Sequence, residues 1–76
     1  MEQVREHAIT FGESLKVLRL NAAKTQDQLA KEIKTTRSTV ARWELDLRKP
    51  RISQLKPLAK ALKVNLKELT RLWNAI

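Results

Sequence analysis

Apolar residues return along this chain at helical spacing, in five segments that each open on a start signal. Thr10 with Glu13 fits a capping box, and Phe11, Leu15, Leu18 and Ala22 recur behind it, which predicts a helix from about Phe11 to Ala22. Thr25 with Gln28 opens a second, short helix whose inner face is Leu29, Ala30 and Ile33. Lys34, Thr35 and Thr36 form a turn, and Thr36 caps a third helix through about Leu45 with Val40 and Trp43 inward. Leu47 to Ile52 is a basic connection broken by Pro50. A fourth helix starts near Ile52 or Ser53 and runs to Leu62; its Pro57 belongs near the first turn, where no backbone donor is lost. Asn65 with Glu68 caps a fifth helix that runs to the end. No segment alternates as a strand and no repeat is present, so the fold class is all-α. Residues 1–9 read as an N-terminal arm and residues 10–76 as one domain.

The second and third helices are joined too tightly to lie side by side without close packing. Ala30 sits where a larger side chain would force them apart, and Ile33, Val40 and Trp43 fill the space between and beneath them. At about 100° per residue from Val40, the third helix turns Ser38, Ala41, Arg42 and Leu45 away from the core, with Arg37 to one side at its N-terminal end. A free helix with Arg, Ser and Thr at its start suits the DNA major groove, where Arg reads guanine bidentately and Ser or Thr reads several base edges. The second helix would then cross the backbone with its N-terminal amides near a phosphate.

Charge sharpens this picture. The 76 residues hold sixteen Lys and Arg against eight Asp and Glu, a net +8. Such a balance on a small body attracts polyanions, nucleic acid above all and acidic membrane surfaces second. No apolar run approaches the roughly 20 residues that span a bilayer, and the start, Met1 to Ala8, has no apolar stretch of a signal peptide. Between Lys34 and Arg51 six basic residues face two acidic ones. There is no cysteine, and the one histidine, His7, has no second histidine with which to hold a metal, so neither metal nor cofactor is expected. No histidine–carboxylate or nucleophile–base constellation and no glycine-rich phosphate loop is present, so an enzyme is not expected. Trp43 falls on the Val40 face and reads as core rather than as a base-stacking ring. Leu45 fits a thymine-methyl contact and helix-end packing equally.

The ordered set Gly12, Leu15, Leu18-Arg19, Thr25-Gln26, Leu29-Ala30, Trp43-Glu44, Arg48, Pro50, Leu58-Ala59, Leu62, Val64 and Leu66 resembles the Xre/Cro type of helix-turn-helix, the lambda-repressor-like DNA-binding domains of phage and bacterial repressors. The resemblance runs from about Phe11 to Leu69. It implies a compact five-helix domain with the helix-turn-helix at helices two and three. It implies base contacts by Thr36, Arg37, Ser38 and Arg42. Backbone contacts are implied for Gln26, at the start of the second helix, and for Arg48 and Arg51, flanking Pro50. Lys34 and Thr35 in the turn are added to the backbone set, since a charge there suits a phosphate. Arg19 and Glu44 match a partly buried ion pair tying the first helix to the third. The chain departs from the family at Ala23, Lys34 and Asp46, where glycine is usual; glycine supplies positive φ at helix ends. Either these turns hold strained residues or they use other geometry.

On the last helix Leu66, Leu69, Leu72, Trp73 and Ile76 spread over an arc of about 120°. Leu66, Leu69 and Trp73 can face inward, which leaves Leu72 and Ile76 beside them as a two-fold dimer contact or as the rim of a wide core face. The expected partner is double-stranded DNA, a near-palindromic operator bound by a homodimer, with a cytoplasmic, nucleoid-associated location. Repression is the expected output, because nearly all of the chain is DNA-binding domain. An antitoxin that also binds a toxin partner, and a protein-interaction module on the same fold, are the alternatives; arginines at 37 and 42 argue against the second.

Overall fold

The computed structural model describes residues 9–75, and His7 and Ile76 lie outside them. Five helices follow in order: α1 (Phe11–Asn21), α2 (Gln26–Glu32), α3 (Arg37–Glu44), α4 (Ile52–Leu62) and α5 (Leu66–Asn74). Among the described residues there is no strand. Thr10 Oγ1 accepts from Glu13 N while Glu13 Oε1 accepts from Thr10 N, and Thr25 and Gln28 do the same at α2. Each box satisfies two backbone donors that a helix start otherwise leaves unpaired. Thr36 caps α3 by accepting from Thr39 N at 3.2 Å. At α5 Asn65 caps alone: its Oδ1 accepts from Lys67 N rather than from Glu68 N, and Glu68 turns instead to Arg71 one turn on.

Four helix ends share one closure. At α1 the Lys24 N–H reaches back to Arg19 O and the Ala23 N–H to Leu20 O; Thr35 and Lys34 repeat the pair at α2, Leu47 and Asp46 at α3, and Val64 and Lys63 at α4. This closure requires a left-handed residue, usually glycine. Here the residues are Ala23, Lys34, Asp46 and Lys63, with φ of 59°, 60°, 61° and 60°. The turns thus keep the usual geometry and accept a side chain in it.

Pro57 is the sixth residue of α4, past the first turn. It therefore removes a bond to the Ser53 carbonyl. Both residues are exposed, so water can take that carbonyl, which is why the helix continues through a residue that the sequence pattern confines to its start.

Phe11 and Leu15 from α1, Leu29 and Ala30 from α2, Val40 and Trp43 from α3, the apolar side of α4 and Leu69 from α5 form one core. Helices α2 and α3 pack on each other, and α1 packs on both α3 and α5. On α5 the inward line is Leu69, Leu72 and Trp73, and Leu66 is 41% exposed. The inward arc centres on Leu69, which puts Leu66 at its rim rather than in the core. Leu72 is half-buried against the molecule's own core.

Candidate nucleic-acid interface

The site begins with the joint between α1 and α3. Gly12 lies against the C-terminal end of α3, where a Cβ would stand 2.5 Å from the Glu44 carbonyl oxygen and 2.6 Å from that of Trp43. Only glycine lets the backbones approach so closely. The Gly12 N–H, one of the free donors at the start of α1, donates to Asp46 Oδ1 at 3.0 Å. Asp46 thus closes α3 with its backbone and caps α1 with its side chain.

Beside this joint Arg19 and Glu44 meet at 2.6 Å between Nε and Oε2, with a second bond of 3.1 Å from Nη2 to Oε1. The side chains are 9% and 4% exposed, so the pair is shielded from water. The remaining guanidinium nitrogen, Nη1, donates to Lys24 O at 2.8 Å and pins the turn before α2. Gln26 Nε2 donates to Glu44 Oε1 at 3.0 Å. One carboxylate therefore joins α1, α2 and α3, and fixes the side chain of the residue that opens α2.

Ala30 is buried where α2 and α3 cross, and Trp43 is buried beneath them. The opposite side of α3 is open: Arg37, Ser38, Arg42 and Leu45 are exposed and Ala41 is half-exposed. Thr36 is exposed, but its hydroxyl already serves the Thr39 N–H and lies 3.0 Å from Thr39 Oγ1. Lys34 is exposed and Thr35 half-buried in the turn. Arg48, Lys49 and Arg51 project from the connection to α4. Together with Thr35, Thr39, Arg42, Trp43 and Gln54 they line a groove of about 340 Å³ that holds four cations and no carboxylate.

Both acids of the 34–51 stretch are turned to the protein's own needs, Glu44 to Arg19 and Gln26 and Asp46 to Gly12. Among the described residues no carboxylate pairs with Lys34, Arg37, Arg42, Arg48, Lys49 or Arg51. The face that carries α3 is thus positive, and among the described residues its charges have no carboxylate partner.

A model of the helix-turn-helix family matches residues 15–69, most of the chain. The chain belongs to the Xre/Cro-like helix-turn-helix family. The crystal structure of the restriction-modification controller protein C.AhdI from Aeromonas hydrophila is similar, with 32% sequence identity and a TM-score of 0.72, over 78% of this chain and 86% of that one. No curated protein sequence matches. As a member of this helix-turn-helix family the protein is a DNA-binding transcription regulator. No helix of the described residues is long and apolar enough to cross a membrane.

Sequence reasoning missed three contacts at this face: Gln26 to Glu44, Gly12 to Asp46, and a link from α5 to the basic connection. In the last, Trp73 Nε1 donates to Pro50 O at 2.8 Å, and the Lys49 ammonium stands 4.6 Å from the centre of the Trp73 ring. Each joins residues distant in the chain, and no periodicity or spacing marks them.

Proposed function

We propose that this regulator reads a specific double-stranded DNA sequence in the major groove with α3. Arg37, Ser38 and Arg42 face the base edges, with Thr36 at the helix start beside them. Gln26, Lys34, Thr35, Arg48 and Arg51 hold the phosphate backbone on either side. The observation that carries this reading is the exposed basic face of α3 and its flanking loop, which no carboxylate of the described residues pairs and from which Glu44 and Asp46 are both turned to other partners. Arginine at 42, on the second turn, suits bidentate recognition of guanine. The flanking cations suit the sequence-independent attraction that phosphates provide.

The protein binds as a homodimer on a near-palindromic operator, with α5 at the contact between protomers through the part of half-buried Leu72 left open by the core, and with Ile76, outside the described residues, beside it. Half-sites then lie roughly 34 Å apart, one helical turn of DNA. Occupying a promoter in this way excludes polymerase by bulk alone, so repression is the simplest output. The likeness to a restriction-modification controller supports a second reading of the setting, in which the regulated genes are those of a restriction-modification system.

Selection of bound duplexes from a random pool tests the proposal. A two-fold symmetric consensus with half-sites one turn apart is the expected result. Enrichment of a single unrepeated half-site would remove the dimer, and no enrichment would remove specific recognition. Placing the consensus upstream of a reporter distinguishes repression from activation.

A further inference from the structure

We propose that Trp73 is a positioning residue for DNA binding: from α5 it holds the connection Arg48–Arg51 in place and sets Lys49 as a further phosphate contact. The inference rests on the DNA-binding reading above and extends it to a helix with no place in the groove. Four observations support it. The connection is tied at its ends, by Arg48 N–H to the Arg42 carbonyl and by Arg51 to Gln54, and between them, among the described residues, the backbone of Lys49 and Pro50 receives one hydrogen bond, from Trp73 Nε1 to Pro50 O at 2.8 Å. Pro50 is fully buried, so this stretch is anchored at its middle while Arg48, Lys49 and Arg51 stay exposed. The Lys49 ammonium lies 4.6 Å from the Trp73 ring centre, well inside the roughly 6 Å over which a cation is drawn to an indole face. Lys49 also lines the cationic groove beside Arg42, Arg48 and Arg51.

The chemistry explains why the residue is tryptophan. Any large apolar side chain could fill the gap against the core, where Trp73 is half-buried. An indole adds a donor at its ring edge for the Pro50 carbonyl and the most strongly cation-attracting of the aromatic faces for an ammonium. A lysine on a four-carbon stem otherwise samples many rotamers, and holding its head beside the groove lowers the ordering cost of a phosphate contact. Lys49 keeps three N–H donors, so resting on the ring leaves it able to donate to an anion. Its contact would be to phosphate and carry no sequence preference.

Replacing Trp73 by Phe in the full chain keeps the ring and removes the donor. The expected result is a loss of about two- to tenfold in affinity, the weight of one hydrogen bond. The loss should be equal for the selected operator and for random duplex, with a shallower salt dependence and unchanged base preference. Wild-type affinity and salt slope in W73F would overturn the proposal, and so would a loss confined to the operator, which would mean base reading. If the wild-type protein itself binds no duplex, the DNA-binding reading fails instead. Should W73F not fold, the indole N–H resonances of wild-type Trp43 and Trp73 decide the matter. Lys49→Gln should shift one of them and so assign Trp73. That resonance should move during DNA titration with the midpoint of binding; an indole that stays fixed through saturation would overturn the proposal.

Discussion

The side-chain amide of Gln26 donates to Glu44 Oε1 at 3.0 Å, and Glu44 is in turn held twice by Arg19. The first residue of α2 is thereby fixed to the same carboxylate that ties α1 to α3. Removing that carboxylate strands a buried guanidinium and frees the Gln26 side chain. Glu44→Ala should lower stability by about 3 kcal/mol, which in a domain this small corresponds to a fall in Tm of more than about 10 °C. Arg19→Met in the same background should restore part of it, since an apolar pair leaves no charge behind. Thermal melts of the two single variants and the double variant measure this; a Glu44→Ala protein melting with the wild type would show that the pair carries no stability.

The Gly12 approach makes a second prediction. Gly12→Ala puts a methyl group 2.5 and 2.6 Å from two backbone carbonyls at the end of α3. Backbone cannot yield as a flexible side chain can, so α1 must lift from α3, at a cost of about 1–3 kcal/mol. Asp46→Ala should cost about 1–2 kcal/mol, because it loses the bond to the Gly12 N–H and keeps a Cβ at φ 61°. Asp46→Gly loses the same bond but relieves the backbone, and should fall nearer the wild type. Urea midpoints that place the glycine variant below the alanine variant would contradict this account of Asp46.

Local sequence carries some of these features and not others. Thr10 with Glu13 and Thr25 with Gln28 mark their helices because a capping box lies within four residues, and Val40 and Trp43 mark the buried side of α3 by spacing alone. The contacts that shape the interface are of another kind. Gly12 meets Asp46 across 34 residues, Pro50 meets Trp73 across 23 and Gln26 meets Glu44 across 18, and no period of 3.6 encodes them. The Arg19–Glu44 contact was legible only through the family resemblance. Ala23, Lys34 and Asp46 left two geometries open, and the closure bonds select the left-handed one. Lys63 gave no signal at all, since a lysine behind an apolar run reads as the last turn of a helix.

Those left-handed residues lead to a third prediction. An L-residue in this region is less stable than in the right-handed one by about 1–2 kcal/mol, offset in part because glycine is more costly to order on folding. Lys63→Gly and Ala23→Gly should each raise stability by up to about 1 kcal/mol and leave DNA affinity unchanged, as neither residue is among the proposed contacts. Lys34→Gly should stabilise the fold similarly but weaken DNA binding, because its charge is one of the proposed phosphate contacts. Its plot of log affinity against log salt should lose about 0.9 in slope, the share of one phosphate. An unchanged slope would remove Lys34 from the backbone contacts.

The sharpest test separates reading from holding. Arg42 and Arg48 are both exposed arginines lining one groove, and they differ in where they are mounted. Arg42 is on the second turn of α3, a helix anchored by its buried Val40, Trp43 and Glu44. Arg48 follows the helix end, where its N–H reaches back weakly, at 3.4 Å, to the Arg42 carbonyl. A rigid mount suits a bidentate contact with a base, whereas a loop suits a phosphate, whose position varies little with sequence. Arg42→Ala should therefore cost about 1–3 kcal/mol on the selected operator, far less on random duplex, and relax preference at one base pair in each half-site. Arg48→Ala should weaken operator and random duplex by the same factor and reduce the salt slope by about 0.9. Titrations of both variants against both duplexes at several salt concentrations give all of these quantities. If Arg42→Ala instead loses affinity equally on the two duplexes, α3 is not read through Arg42, and the assignment of base contact to this face must move to Arg37 and Ser38.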